Sequence, residues 1–167
     1  MLEIEVKVRQ EDLGAVRARL LDMGAVILQE RHLEENTLYD LRGRDLSRRR
    51  EALRLRTRGR KGELTFKGPP QKSRRFKIRR EFETEVRKPK QAAKILTALG
   101  FVPVFSYAKH RAVLKLDRVR ICLDETAGGN YLEFEGERNR ITALAKKLGI
   151  STRAMIKKSY IELLTKS

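Results

Sequence analysis

A strict alternation of apolar and charged residues recurs in segment after segment of this chain and limits what it can fold into. Leu2, Ile4, Val6 and Val8 alternate with Glu3, Glu5, Lys7 and Arg9. Leu53 and Leu55 alternate with Arg54 and Arg56, and Leu64 and Phe66 with Glu63, Thr65 and Lys67. Phe76, Ile78 and Phe82 alternate with Lys77, Arg79, Glu81 and Glu83. Ala112, Leu114 and Leu116 oppose Lys109, Arg111 and Lys115; Val119, Ile121 and Leu123 oppose Arg118, Arg120 and Asp124; Leu132 and Phe134 oppose Glu133 and Glu135. A period of two is what a strand shows when one face enters a core. Residues 26–39 supply at least one further strand, ending near Tyr39.

Helical spacing interrupts the strands. Residues 11–23 place Leu13, Val16, Leu20 and Met23 on one face before Gly24. A second helix follows Pro89 and stops at Gly100, a third spans about 139–148, and a fourth is expected over about 153–165. Glu3-x-Glu5 followed by a helix ending at Gly24 recurs as Glu81-x-Glu83-x-Glu85 followed by a helix ending at Gly100. Two fused β-α-β-β halves account for that repeat. Residues 68–75 and the run Arg42–Arg50 read as mobile loops, and Gly128-Gly129-Asn130 reads as a hairpin turn.

The wet face of an ordinary half-exposed sheet mixes Ser, Thr, Gln and Lys. Here nearly every polar position is charged, and the signs are sorted by strand. About eight strands with helices over their apolar face would close into an antiparallel barrel whose lumen collects those charges. The expected fold class is therefore α+β, a closed eight-stranded barrel with a polar, charged tunnel and helices packed outside, in a single domain spanning 1–167. Alternating Glu and Lys on one strand is more often a solvated face with cross-strand ion pairs. Six such strands with segregated signs make an enclosed cavity the better reading. Carboxylates in such a lumen match hard divalent cations, Mg²⁺ or Mn²⁺, and the Arg and Lys match an oligophosphate.

The chain carries 39 Lys plus Arg against 22 Asp plus Glu, a net charge of +17, which implies a polyanionic partner. Aromatic residues make up 6% and there is no Trp, so no base-stacking platform is evident, which argues against nucleic acid. No apolar run approaches the roughly 20 residues of a membrane span, and the acidic N-terminus does not read as a signal peptide. One cysteine, Cys122, leaves no internal disulfide framework. A cytoplasmic protein is the expectation. Cys122, without a neighbouring His in sequence, reads as a filler rather than a nucleophile, and His32 and His110 have no zinc spacing.

The residues also resemble a known family. Glu3-x-Glu5-x-Lys7 resembles the ExExK motif of the CYTH, or triphosphate tunnel, family, which groups class IV adenylyl cyclases, thiamine triphosphatases and inorganic triphosphatases. The resemblance continues in order through Arg54-Leu-Arg56, Lys67-Gly-Pro, Lys109-His-Arg111, Asp124-Glu125, Glu133-Phe-Glu135-Gly136 and Lys158-Ser-Tyr160. It implies metal-binding acids at Glu3, Glu5, Asp124, Glu133 and Glu135. It implies triphosphate-binding bases at Lys7, Arg54, Arg56, Lys67, Lys109, Arg111 and Lys158. Glu3, Glu5, Lys7, Arg56 and Glu135 are the positions expected to matter most for catalysis.

The implied activity is metal-dependent conversion of ATP to cyclic AMP and pyrophosphate, as in class IV adenylate cyclases. The alternative is hydrolysis of thiamine triphosphate or inorganic tripolyphosphate. A further alternative is a non-catalytic polyphosphate- or RNA-binding module. A homodimer stays open. Deleting Glu135 or Arg56 is expected to remove activity and leave the fold intact.

Overall fold

The computed structural model describes residues 2–165. Nine strands run as β1 (Leu2–Gln10), β2 (Val26–Leu41), β3 (Ala52–Arg58), β4 (Lys61–Lys67), β5 (Lys77–Val86), β6 (Phe101–Leu116), β7 (Val119–Thr126), β8 (Gly129–Glu135) and the two-residue β9 (Met155–Ile156). Helices α1 (Leu13–Asp22), α2 (Asp45–Arg48), α3 (Pro89–Ala98), α4 (Arg138–Lys147) and α5 (Tyr160–Leu164) lie between and after them. The hydrogen-bonded order is β5-β4-β3-β2-β6-β7-β8-β1-β9, and β5 pairs with β1 as well, so the ladder of β1 to β8 closes. This is the closed, antiparallel, eight-stranded α+β fold that the alternation predicts. The repeat is present with one strand more per half than expected, as β1-α1-β2-α2-β3-β4 followed by β5-α3-β6-β7-β8.

Residues group into two compact units. The first comprises Leu33–Gln71 and Arg79–Ala108, and the second Glu3–His32, Lys72–Ile78 and residues 109–165.

In the second unit the apolar parity of each strand makes the core. Val6, Leu114, Val119, Ile121, Leu132 and Phe134 are buried together with Leu20 of α1 and Ile141 and Leu144 of α4. Each such side chain contributes about 1.5–3 kcal/mol on burial, which is why a two-residue period here dictates which face looks inward. Helix α1 starts at Asp12, whose carboxylate accepts from the Ala15 N–H at 2.9 Å, and α1 leads out through Gly24 at φ +91°. In the first unit a smaller core joins Tyr39, Leu55 and Leu96 with Leu53, Leu64, Ala92 and Phe101 at its edge. Gly62 sits under α3 because a Cβ there would meet Pro89 Cβ at 2.8 Å.

Two expectations are corrected. The C-terminal segment is not one helix: a 3₁₀ turn (Thr152–Ala154), β9 and an extended stretch precede the short α5. Met155 and Ile156 pair with Val8 and Lys7 of β1, and this pairing overrides the helical spacing. Helix α5 begins instead at a reciprocal cap between Ser159 and Glu162. The basic run Arg42–Arg50, read as a mobile loop, contains α2. Asp40 organises it by accepting from the Leu41, Leu46 and Ser47 N–H groups and the Ser47 hydroxyl at 2.6–3.0 Å. Those bonds hold Arg44 and Arg50 at φ 58° and 60°, a conformation that arginine otherwise avoids.

Candidate active site

Much of the charged parity of the strands is buried as well. In the second unit Glu5, Lys7, Lys109, Arg111, Asp124 and Glu133 are each at most 5% exposed. Strand register brings them together. On β1 and β8, Lys7 faces Glu133 and Glu5 faces Glu135; on β6 and β7, Arg111 faces Asp124.

The contacts are those of a desolvated ion network. Arg111 forks onto Asp124, with Nε–Oδ1 and Nη2–Oδ2 both 2.6 Å, and its Nη2 also donates to Glu133 Oε1 at 2.8 Å. Lys7 Nζ lies 3.0 Å from Glu5 Oε1 and 2.8 Å from Glu133 Oε2. Lys109 Nζ reaches Asp124 Oδ2 at 3.0 Å, and Lys77 Nζ reaches Glu5 Oε1 at 2.9 Å. Burial by itself disfavours the charged forms of Lys7 and Arg111. Glu133 and Glu5 beside Lys7, and Asp124 beside Arg111, outweigh that and hold both firmly protonated. Burial pushes Asp124 and Glu133 upward, but Arg111 and Lys109 beside Asp124, and Lys7 and Arg111 beside Glu133, keep both carboxyls ionised.

Glu135 behaves differently. Burial, and next the negative charge of Glu133, push its carboxyl up to about 7, with Arg120 and Arg111 offsetting only part. Its Oε2 is 3.6 Å from Arg120 Nη1, and the Cys122 thiol points at its Oε1 from 3.9 Å. Ligand atoms of Cys122, Glu133 and Glu135 all lie within 4.8 Å of one another. Burial raises the Cys122 thiol well above its usual range, so it is a neutral filler, as the sequence implies. Glu135, its charge only partly offset, with Glu133 beside it and Glu5 opposite in register, forms a carboxylate set that suits a hard divalent cation. Glu3 sits half-buried on the same strand as Glu5 and Lys7.

The first unit holds a second network. Arg56, 7% exposed, has Nε 3.1 Å from Asn36 Oδ1 and 3.3 Å from Glu34 Oε2, and Nη1 3.3 Å from Glu63 Oε1. Arg54 and Arg58 reach the same Glu63 at 3.3 and 3.4 Å. Lys67 pairs with Glu81, its register partner on β5, at 2.5 Å. Arg54 also donates to the Thr65 hydroxyl at 3.0 Å, which in turn donates to Glu83.

The structure therefore gathers Glu3, Glu5, Lys7, Lys109, Arg111, Asp124, Glu133 and Glu135 in one unit, and Arg54, Arg56 and Lys67 in the other. Lys158 is exposed, in the stretch between β9 and α5 rather than on a helix. Two sequence expectations change. The signs are sorted by strand, yet across strands each base meets an acid, so the networks are ion-paired within themselves. The fold is also not indifferent to deletion of Arg56, because buried Glu34 would lose a cationic contact, although Glu63 would keep Arg54 and Arg58. Sequence reasoning passed over Tyr160, Glu34, Asn36, Lys77 and Arg120. Glu34 and Asn36 share a parity on β2, a usable signal, whereas Tyr160 reads as one apolar residue among several.

Tyr160 covers the second network from α5. Its hydroxyl donates to Asp124, its ring lies 4.3 Å from Lys109 Nζ and 4.9 Å from Lys7 Nζ, and Tyr131 meets it edge-on at 5.9 Å.

Comparison with known proteins decides the family. The CYTH domain family matches residues 1–160. The chain belongs to the CYTH family. A protein of Methanocaldococcus jannaschii named "putative adenylate cyclase" is 29% identical over 98% of both chains. An X-ray structure of a "putative adenylate cyclase" from Vibrio parahaemolyticus superposes with a TM-score of 0.90 at 23% identity, covering 99% of each chain. A Hippeastrum "putative adenylyl cyclase", described as having a dominant triphosphatase activity, gives 0.68 at 23% identity over 89% of this chain and 88% of its own. At such identities the last two establish the shared fold. Among the described residues no helix is long and apolar enough to cross a membrane.

Proposed function

We propose that this CYTH protein is a metal-dependent enzyme that binds a triphosphate and cleaves one of its anhydride bonds. Our first reading is adenylate cyclase chemistry, ATP to cyclic AMP and pyrophosphate. The observation that carries the proposal is the buried network of the second unit, where Glu135, its charge only partly offset, adjoins guanidinium and ammonium groups held ionised. Glu3, Glu5, Glu133 and Glu135, with Asp124, are the residues that would hold Mg²⁺ or Mn²⁺. A cation bound there would neutralise phosphate oxygens and make the phosphorus more electrophilic.

Lys7, Lys109 and Arg111 already point their N–H groups at carboxylate oxygens, and phosphate oxygens present the same acceptor chemistry. Binding would exchange part of these contacts, so the protein's own acids keep the bases extended and charged until substrate arrives. Arg54, Arg56, Lys67 and Lys158 are proposed as further phosphate contacts because they match the family's motifs. The M. jannaschii relative's name supports the cyclase reading.

The second reading is triphosphatase. It uses the same phosphate-binding groups and differs in which phosphorus is presented and whether water or the ribose 3′-hydroxyl attacks. The behaviour described for the Hippeastrum protein is the reason to keep it. Incubation with ATP, thiamine triphosphate and tripolyphosphate, with Mg²⁺ or Mn²⁺ and mass identification of products, separates the two. Cyclic AMP with pyrophosphate from ATP supports the first, and orthophosphate with the matching diphosphate, without cyclic AMP, supports the second. Binding without metal-dependent turnover would leave a non-catalytic polyanion binder.

A further inference from the structure

Asn36 lies on β2 opposite Arg56 of β3 and is 1% exposed. Its Oδ1 accepts from Arg56 Nε at 3.1 Å, which fixes the amide orientation, since the flipped amide would set one donor against another. The Nδ2 group turned away from Arg56 meets no acceptor among the described protein atoms. A buried amide donor left unpaired is costly, and native folds keep few of them.

The surroundings indicate what acceptor would satisfy it. Glu63 receives Arg54, Arg56 and Arg58 at 3.3, 3.3 and 3.4 Å, with Glu34 also 3.3 Å from Arg56 and Glu83 3.8 Å from Arg54, so the amide lies beside a cluster of guanidinium groups. An incoming acceptor beside that cluster is favoured if it is anionic. A neutral side chain that donates suits an anion better than the carboxylate of the same shape, which would repel it.

We infer that Asn36 is a substrate-binding residue whose Nδ2 donates to a phosphate oxygen, working with Arg56, and that it tunes this unit toward polyphosphate rather than toward a cation. The inference rests on the triphosphate reading above and adds to it a neutral contact outside the charged motifs. Asn36→Asp keeps an oxygen for Arg56 and converts the donor to an acceptor, so it removes the proposed contact with little change in shape.

The test is calorimetric binding of inorganic tripolyphosphate, with Mg²⁺ present, to wild type, Asn36→Asp and Asn36→Ala. Unliganded thermal midpoints are measured in parallel. Asn36→Asp is expected to keep its unliganded midpoint and to weaken binding at least about tenfold, the scale of a lost hydrogen bond to a charged group. Asn36→Ala should also bind more weakly, and it provides the reading if the aspartate variant does not fold. Undiminished binding by either folded variant would overturn the assignment. So would a loss of affinity matched by an equal loss of unliganded stability, which would mark Asn36 as structural. Failure of wild type to bind tripolyphosphate at all would sink the triphosphate reading itself, and Asn36's role with it.

Discussion

Lys109 Nζ is held between Asp124 Oδ2, at 3.0 Å, and the face of the Tyr160 ring, at 4.3 Å. The same phenol donates its hydroxyl to Asp124, so one aromatic residue from a five-residue helix fixes both partners of a buried ion pair. Tyr160→Phe retains the ring and removes the donor. The expected cost is about 1.5–3 kcal/mol, the worth of a hydrogen bond to a charged acceptor. Chemical denaturation should show it, with Tyr160→Ala losing more because the ring's packing goes as well. An unchanged midpoint in the phenylalanine variant would mean that Asp124 does not depend on α5.

Removing Arg111 leaves Asp124 and Glu133 buried without their fork. Arg111→Ala is expected to destabilise by about 3–5 kcal/mol, and Arg56→Ala by less, because Glu63 keeps Arg54 and Arg58 while Glu34 loses one cationic contact. Activity measurements on either variant are therefore informative only alongside a melting curve. Full stability in Arg111→Ala would show that the network has another route to neutrality.

Glu135 should respond in the opposite way. Glu135→Gln removes a negative charge from a crowded acid set, so in chelator its thermal midpoint is expected to equal or exceed that of wild type. Adding Mg²⁺ or Mn²⁺ should raise the wild-type midpoint, since a ligand at a hundredfold its dissociation constant contributes about 2.7 kcal/mol. The variant should lose most of that rise. An equal metal response in both proteins would remove Glu135 from the cation site.

Asp40 gives a pH-dependent prediction. Burial pushes its carboxyl up, but the Ser47 hydroxyl and the N–H groups of Leu46, Ser47 and Leu41 outweigh that and hold it below its usual range. A depressed acid stabilises the fold above its unfolded pKa, near 3.9, and loses that contribution as pH falls through the lower folded value. Asp40→Asn should therefore cost about 1–2 kcal/mol at neutral pH and much less near pH 3. The two proteins' denaturation midpoints at both pH values check this, and a gap that persists in acid would contradict it.

Legibility from sequence followed the physics of each element. Alternation is decisive for β1, β3, β4, β7 and β8 because one parity of each is mainly apolar and the other mainly charged. The motifs then placed Glu3, Glu5, Lys7, Arg111 and Glu133 correctly on one parity. What sequence could not supply was pairing across strands: nothing local tells Lys7 that it will face Glu133 rather than solvent. Helical spacing misleads over residues 153–159 because β9 draws its hydrogen bonds from β1, far away in the chain. Asn36 and Tyr160 escaped because their roles depend on one oriented bond each.

Cys122, with no exposed surface and its thiol kept neutral by burial, carries one practical consequence. As the chain's sole thiol it should resist alkylation in the native state and become reactive only when the β6-β7-β8 ladder opens. The rate at which a thiol reagent consumes it would time that opening, reporting on the middle of the charged network without any engineered label.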